Sequence, residues 1–471
     1  MNAPAPAHPL PERTVSEQLA EFALVTSLND IPEVVRIRAK HLILDAIGIA
    51  FASTRFPFAE RSLAGINALG GAPENMVIGH ERRLPLRDAM LMNGILVHGL
   101  DYDDTHVPGV IHATASAVPC VLGLGERLRS RGTDVLRAYI LAVEAGARIA
   151  AAPKGGFHKV GFHPTGLVGA FGCSIAAGLL LDLPPEASAM AQGITLSMAG
   201  GSMEFLADGA WTKRMHPGWA AVSGTTAAYL AQNGFIGPTT AYEGRFGLFA
   251  THLDPRDAQP DASAVLTGLG QVWELDRVAV KPFPACHFVH GCADAALALV
   301  REHALAPDQV KSITALMPEE TIPTVCEPTA NKVRPVSDYD AKFSVQYTVA
   351  ASIARGRFGL AELEDEARTD EQILSLAQKV SYAPDPDSLF PAAYSGELVV
   401  ETTDGRTLRH REAINRGAEQ RPLTNGEIAA KFEENAALAL DDARVREVRD
   451  AVLNLDLMDE VTALTEVLGN G

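Results

Sequence analysis

From Gly166 to Leu181 the chain carries 16 consecutive residues without a charged side chain, with small residues at Gly166, Gly169, Gly172 and Ala176. A bilayer span needs roughly 18–20 apolar residues, so this segment reads as a buried helix and not as a membrane span. Glycine costs about 1 kcal/mol in a helix interior relative to alanine, so its accumulation here, and again at Gly200, points to helix backbones that approach closely. The expectation is a tight central bundle.

The flanking pattern extends that bundle in both directions. Thr14 and Glu17 have capping-box spacing ahead of Leu19, Phe22, Ala23 and Leu24. Pro32 opens a second helix that continues through Val35, Ala39, Leu42, Ala46 and Ile49. Further helices are predicted over about 87–100, 113–130, 133–151, 164–181, 185–203 and 217–233, separated by short loops. After about residue 270 the texture changes: β-type runs at Gln309–Leu316 and Gly396–Glu401 stand beside helices at about 288–304, 341–355 and 371–377. Asp404–Gly405 supplies the tight turn of a hairpin between Glu397–Glu401 and Arg406–Arg411. Thr424 and Glu427 repeat the capping-box spacing and open a helical tail to Leu468. The predicted class is mainly α: a large all-helical domain from both ends of the chain (14–272 and 422–471) with a smaller α+β domain (273–421) inserted, and residues 1–13 as a disordered tail.

Charge and cysteine usage narrow the partners. A formal net charge of −18 repels polyanions, so with no basic run neither nucleic acid nor an anionic membrane is an expected partner. A small anion remains admissible, because a few cations converging in a cleft set the local potential. The five cysteines are an odd number without CxxC spacing, and the start MNAPAPAHPLPERT has no apolar core segment; both fit a cytoplasmic protein. The chain contains no GxGxxG after a strand, no Walker A loop, no HExxH and no GxSxG, so redox, nucleotide-dependent and serine-hydrolase chemistry lose weight.

Four polar clusters carry the candidate chemistry. The first, NGILVHGLDYDDTHVPGVIH (93–112), gathers His98, Asp101, Asp103, Asp104, Thr105, His106 and His112. Carboxylates beside imidazoles suit general acid–base work, but a solvated loop, or a divalent-metal site on Asp101, Asp103, Asp104 and His106, is also compatible. The second, GFHPTG (161–166), places His163 at a helix N-terminus, where a substrate carboxylate is favoured and a simple capping role is the alternative. The third, DGAWTKRMHPG (208–218), holds Lys213, Arg214 and His216; it is either a carboxylate grip or an exposed basic turn. The fourth, KPFPACHFVH (281–290), sets Lys281 on a proline-braced loop at the change of texture, where an interdomain cleft or a stiff linker would lie.

With these motifs, and with EGRFGLF and KFSVQY further along, the chain resembles the MmgE/PrpD family from about Val15 to Leu468. The resemblance implies a homodimer with a cofactor-free and metal-free site between the domains. It further implies a lyase acting on a small di- or tricarboxylate. A 2-methylcitrate-dehydratase-like hydro-lyase ranks first, a cis-aconitate-type decarboxylase second and an iminodisuccinate-like epimerase third. Carried over by motif, His112, Asp101, Lys213, His163 and Tyr347 are the expected catalytic residues, and Thr105, Lys281, His106 and Arg214 the expected substrate-binding ones. The spacing after Thr105 leaves His106 and His112 both eligible for proton transfer, with His112 preferred. The other readings are a metal-dependent hydro-lyase and a non-catalytic carboxylate-binding scaffold.

Overall fold

The computed structural model describes residues 13–207, 209–257, 260–390 and 392–469, so residues 1–12 of the expected tail lie outside the described residues. The uncharged segment forms the helix Pro164–Leu180 and is buried along Pro164–Gly178. Gly132–Ala151, Ala113–Leu128 and His216–Gln232 pack around it. The glycines there face backbone or small side chains: a Cβ on Gly172 would stand 2.5 Å from the Ala142 carbonyl oxygen, and one on Gly224 2.5 Å from that of Ala170. Close helix approach is thus the reason for the glycine content.

One hydrophobic core runs from Val15 to Val280 and takes in Leu423 to Leu468; a second gathers residues between Phe283 and Leu408. Both predicted capping boxes form, at Thr14 with Glu17 and at Thr424 with Glu427. The helix Asn425–Ala436 returns against Glu33–Ser53, where Phe432 lies over Gly48. The second core is backed by a four-stranded sheet in the order Val380–Pro384, Val310–Met317, Gly396–Thr402, Thr407–Glu412. The first pair is parallel and the other two antiparallel, with Ile313 opposite both Val380 and Val400. The Asp404–Gly405 hairpin forms as expected, with Gly405 at φ +87°. The fold is therefore mainly α with a small sheet-bearing part. Among the described residues no single helix is long and apolar enough to cross a membrane.

Three departures from the sequence pattern matter for the site. The helix expected to reach residue 203 ends at Thr195, and Gly201, at φ +143°, carries the chain back so that its carbonyl accepts the His163 N–H at 2.8 Å. The helix expected from 341 begins at Val345, because Ser344 caps it by accepting the Tyr347 N–H. A short antiparallel ladder, Thr105–His106 with Val278–Ala279, joins the first motif to the fourth.

The helices Leu86–His98 and His216–Gln232 touch backbone to backbone: a Cβ on Gly94 would fall 2.3 Å from Gly218 Cα. That contact fixes the height of Lys213 and His216 relative to His98. Gly94→Ala is expected to destabilise the fold by about 1–3 kcal/mol through overpacking. Gly65→Ala, on the helix Pro57–Asn67 with nothing within 4 Å of its Cβ, should instead stabilise by up to about 1 kcal/mol. Urea titration of both variants checks this, and equal effects would contradict the packing argument.

Candidate active site

Leu86–His98 ends on His98, and the chain turns at Asp101 into the left-handed region (φ +54°), which an aspartate adopts only at some cost. The turn is held at its carbonyls. Lys281 Nζ donates to the Asp101 carbonyl at 2.7 Å, Lys431 Nζ to that of Tyr102 at 2.9 Å, and His112 Nδ1 to that of Asp104 at 2.8 Å. Lys431 also pairs with Asp45 at 2.8 Å and lies 3.9 Å from the centre of the Tyr102 ring. One short loop is thereby fixed by its neighbour His112 and by side chains from two distant parts of the sequence.

The strain is compensated because the turn buries the Asp101 carboxylate among cations. Its Oδ1 lies 2.6 Å from Lys213 Nζ, 3.4 Å from Lys281 Nζ and 3.8 Å from His112 Nε2. Burial alone would push this carboxyl up, but Lys213 and Lys281, with His112 and His98, hold it well below the usual carboxylate range. Burial would likewise lower Lys213, and Asp101 keeps it above its ordinary value.

Around this core stand four imidazoles. The ring of His98 lies 4.6 Å from that of His112 and 5.5 Å from that of His163, centre to centre. Asp103 accepts from His98 Nδ1 at 2.8 Å, and His163 and His216 face each other through Nδ1 atoms 3.0 Å apart. Because the Asp104 carbonyl can only accept, His112 carries its proton on Nδ1 and presents a lone pair at Nε2. Burial lowers His112 and, although Asp103 opposes it, His98 and the two lysines reinforce the shift, so the ring stays well below its ordinary range. Burial and Lys213 do the same to His163, and burial takes His216 to about 4. These three rings are neutral at pH 7.

His112, Asp101, Lys213, His163 and Lys281 therefore meet, although they come from four separate motifs. Thr105 stands on the connecting ladder with its hydroxyl buried and without a hydrogen-bond partner among the described residues. Three expected members are placed elsewhere. Tyr347 lies in the second core, on the helix that follows the Ser344 cap, and donates to the Glu362 carbonyl at 2.6 Å. His106 is turned onto Glu274 at 2.8 Å, whereas His112 lies 3.8 Å from Asp101. Arg214 is committed to the Gly99 carbonyl at 2.8 Å and lies over the Phe58 ring, lining a cavity of about 630 Å³ with Trp211, Asp338 and Arg368. The metal set of Asp101, Asp103, Asp104 and His106 does not converge either, since Asp104 turns to Thr114 and His106 to Glu274.

Sequence reasoning left out four residues of the cluster. His98, Asp103 and His216 stood inside the chosen motifs, but nothing in linear spacing ranks them above their neighbours. Tyr339 was not singled out. Its buried hydroxyl has no partner among the described residues, and it lies within electrostatic reach of Lys213 and Asp101. Of the two tyrosines, the one near the Asp101 cluster is thus Tyr339, ahead of the helix start at Val345.

The family model for the MmgE/PrpD N-terminal domain matches residues 17–261, and that for the MmgE/PrpD C-terminal domain matches residues 283–457. The chain belongs to the MmgE/PrpD family. It is similar to the cis-aconitate decarboxylase of Aspergillus terreus, with 27% identity over 470 residues and 96% of each chain covered. It is similar also to the cis-aconitate decarboxylases of Mus musculus (28% over 473 residues, 97% of this chain and 93% of the relative) and Homo sapiens (29% over 473 residues, 97% and 95%). The first three site motifs of this MmgE/PrpD chain lie within the N-terminal match, and the fourth begins at Lys281, two residues ahead of the C-terminal one.

Asp104 differs from Asp101 and Asp103 in the direction of its shift: burial, opposed by the Thr114 hydrogen bonds and aided by Asp103, raises it from 3.8 to about 7. Between these values the folded protein keeps a proton that the unfolded chain releases, so stability from this carboxyl is complete below about pH 4 and falls as pH rises towards about 7. Asp104→Asn should remove that slope, gaining on the wild type by up to about 1.4 kcal/mol per pH unit across the window. Denaturant titrations at pH 5 and pH 8 measure this, and a difference independent of pH would refute it.

Proposed function

We propose that this protein is a carboxy-lyase that removes CO2 from an unsaturated tricarboxylate of the cis-aconitate type by acid–base chemistry. The observation that carries the reading is the convergence of Lys213, Lys281, His112 and His163 on the buried Asp101 turn. The relatives at 27–29% identity along nearly the whole chain carry that activity in their names, which favours decarboxylation over the dehydration that ranks first on the motifs alone.

The proposed steps use groups already in position. Breaking the bond to the departing carboxylate leaves its electron pair on carbon, conjugated through the adjacent double bond with a remaining carboxylate. Lys213 and Lys281, pre-ordered by Asp101, stabilise that charge as it develops and need little rearrangement to do so. CO2 departs and a proton is added to carbon. His112 supplies it: a bound polyanion raises the proton affinity of the ring, and Nδ1 stays anchored to the Asp104 carbonyl so that Nε2 makes the transfer. His163, Thr105 and Tyr339 are proposed to hold the other carboxylates.

Incubation with cis-aconitate, 2-methylcitrate and an iminodisuccinate-type acid, followed by carbon NMR and CO2 trapping, tests the reading. CO2 release from the first is expected, with kcat/KM reduced at least about 100-fold in His112→Ala and Lys213→Ala. Dehydration of 2-methylcitrate without CO2 release would replace it by the hydro-lyase reading, and near-normal turnover in both variants would remove the assigned roles. Ligand stabilisation without turnover would favour the scaffold.

We infer also that the protein is a homodimer, as the family resemblance implies. Met215, just ahead of the helix His216–Gln232, and Trp219 and Leu230 on it stand exposed at helical spacing, followed by exposed Phe235 and Ile236. Light scattering should give twice the chain mass, and Trp219→Glu should shift it towards the monomer; a wild-type monomer would contradict this.

A further inference from the structure

His98, His112 and His163 each bring a ring nitrogen within 4.8 Å of the other two. The first is not used by the chemistry proposed above, and its environment is unusual. Its side chain is fully buried, Asp103 takes its Nδ1, and its Nε2 has no hydrogen-bond partner among the described residues. A buried, unpartnered nitrogen costs roughly 1–3 kcal/mol, so the position is an unfilled bonding site.

The other two rings are prepared in the same sense. The Asp104 carbonyl holds His112 Nδ1, and His216 holds His163 Nδ1, which leaves the Nε2 atoms of all three rings available. A carboxylate, a carbonyl or another acceptor on the far nitrogen is what orients metal-bound imidazoles and raises their basicity. Three nitrogens with a fourth position open suit tetrahedral Zn²⁺, and an all-imidazole set discriminates against Mg²⁺ and Ca²⁺. Lys213 and Lys281 both face Asp101, and Asp103 adds a second carboxylate beside His98 and His112, so two ammonium groups are met by two carboxylates around the site.

We propose that His98, His112 and His163 form a binding site for one divalent transition ion of the Zn²⁺ type, and that occupation of this site inhibits the enzyme. Coordination takes the Nε2 lone pair of His112, so the ring can no longer carry the proton. The inhibition rests on the function proposed above, whereas the binding does not. The ion is thus an antagonist of the reaction and not its cofactor.

Chelator-stripped protein is titrated with zinc chloride by equilibrium dialysis, and the zinc-loaded wild type is measured by X-ray absorption at the zinc edge. One ion per chain and a first shell containing three imidazoles are expected. His98→Ala and His163→Ala should each weaken binding at least about tenfold, and Asp103→Asn, which removes only the orienting carboxylate, by about 10–100-fold. Absence of a stoichiometric ion, or a shell of oxygen or sulfur in place of imidazole, overturns the site; the wild-type spectrum decides this even where a variant fails to fold. Activity is read separately: loss with zinc and recovery with chelator is expected. Unchanged turnover in zinc-loaded enzyme overturns the inhibition, as does stripped enzyme that zinc activates. Protein that binds zinc yet decarboxylates nothing counts against the function and not against the site.

Discussion

The buried ion cluster at Asp101 is the constraint to which the rest of the structure is fitted. A carboxylate withdrawn from water is costly unless cations and donors replace the solvent, and here two lysines do so, with His112 beside them. Each partner comes from a different element: Lys213 from the turn before His216–Gln232, Lys281 from the strand exit after Val278–Ala279, and His112 from the start of Ala113–Leu128. The bundle must bring those three ends to one point. The glycine seam between Leu86–His98 and His216–Gln232 does so at one side, and the Thr105–Ala279 pairing does so at the other. Buried pairs of this kind contribute little net stability against an apolar alternative, so their presence is better explained by the chemistry they prepare.

Much of the architecture was legible because it rests on local signals. Uncharged, glycine-bearing runs at helical period fixed the central helices, the capping boxes at Thr14 and Thr424 marked two starts, and Asp404–Gly405 marked the hairpin. The misses share a cause: they were settled by partners far away. The helix from Pro185 stops at Thr195 because Gly201 must deliver its carbonyl to His163, and the strand Val380–Pro384 exists only as the parallel partner of Val310–Met317.

The site was legible as a set of motifs but not as a set of roles. His112, Lys213, Lys281, His163 and Asp101 lie where unusual density of polar residues pointed. Spacing could not show that His106 would turn to Glu274, or that Arg214 would be spent on the Gly99 carbonyl. Nor could it separate Tyr339 from Tyr347, since the break at Ser344 that divides them depends on a single capping bond. Neutral imidazoles beside fixed ammonium groups form an environment for spreading negative charge on carbon, which is a requirement common to several reactions of small acids.

Lys431 gives the design a temporal side. It sits in the helix Asn425–Ala436, yet its ammonium group reaches the Tyr102 carbonyl and the Asp45 carboxylate more than three hundred residues upstream. A nascent polypeptide leaving the ribosome has made every other ligand of the loop long before this one. Until that helix arrives, Asp45 and the Tyr102 carbonyl lack the Lys431 ammonium group, so a late stretch of the chain acts as a latch on a centre whose reactive side chains were all encoded earlier.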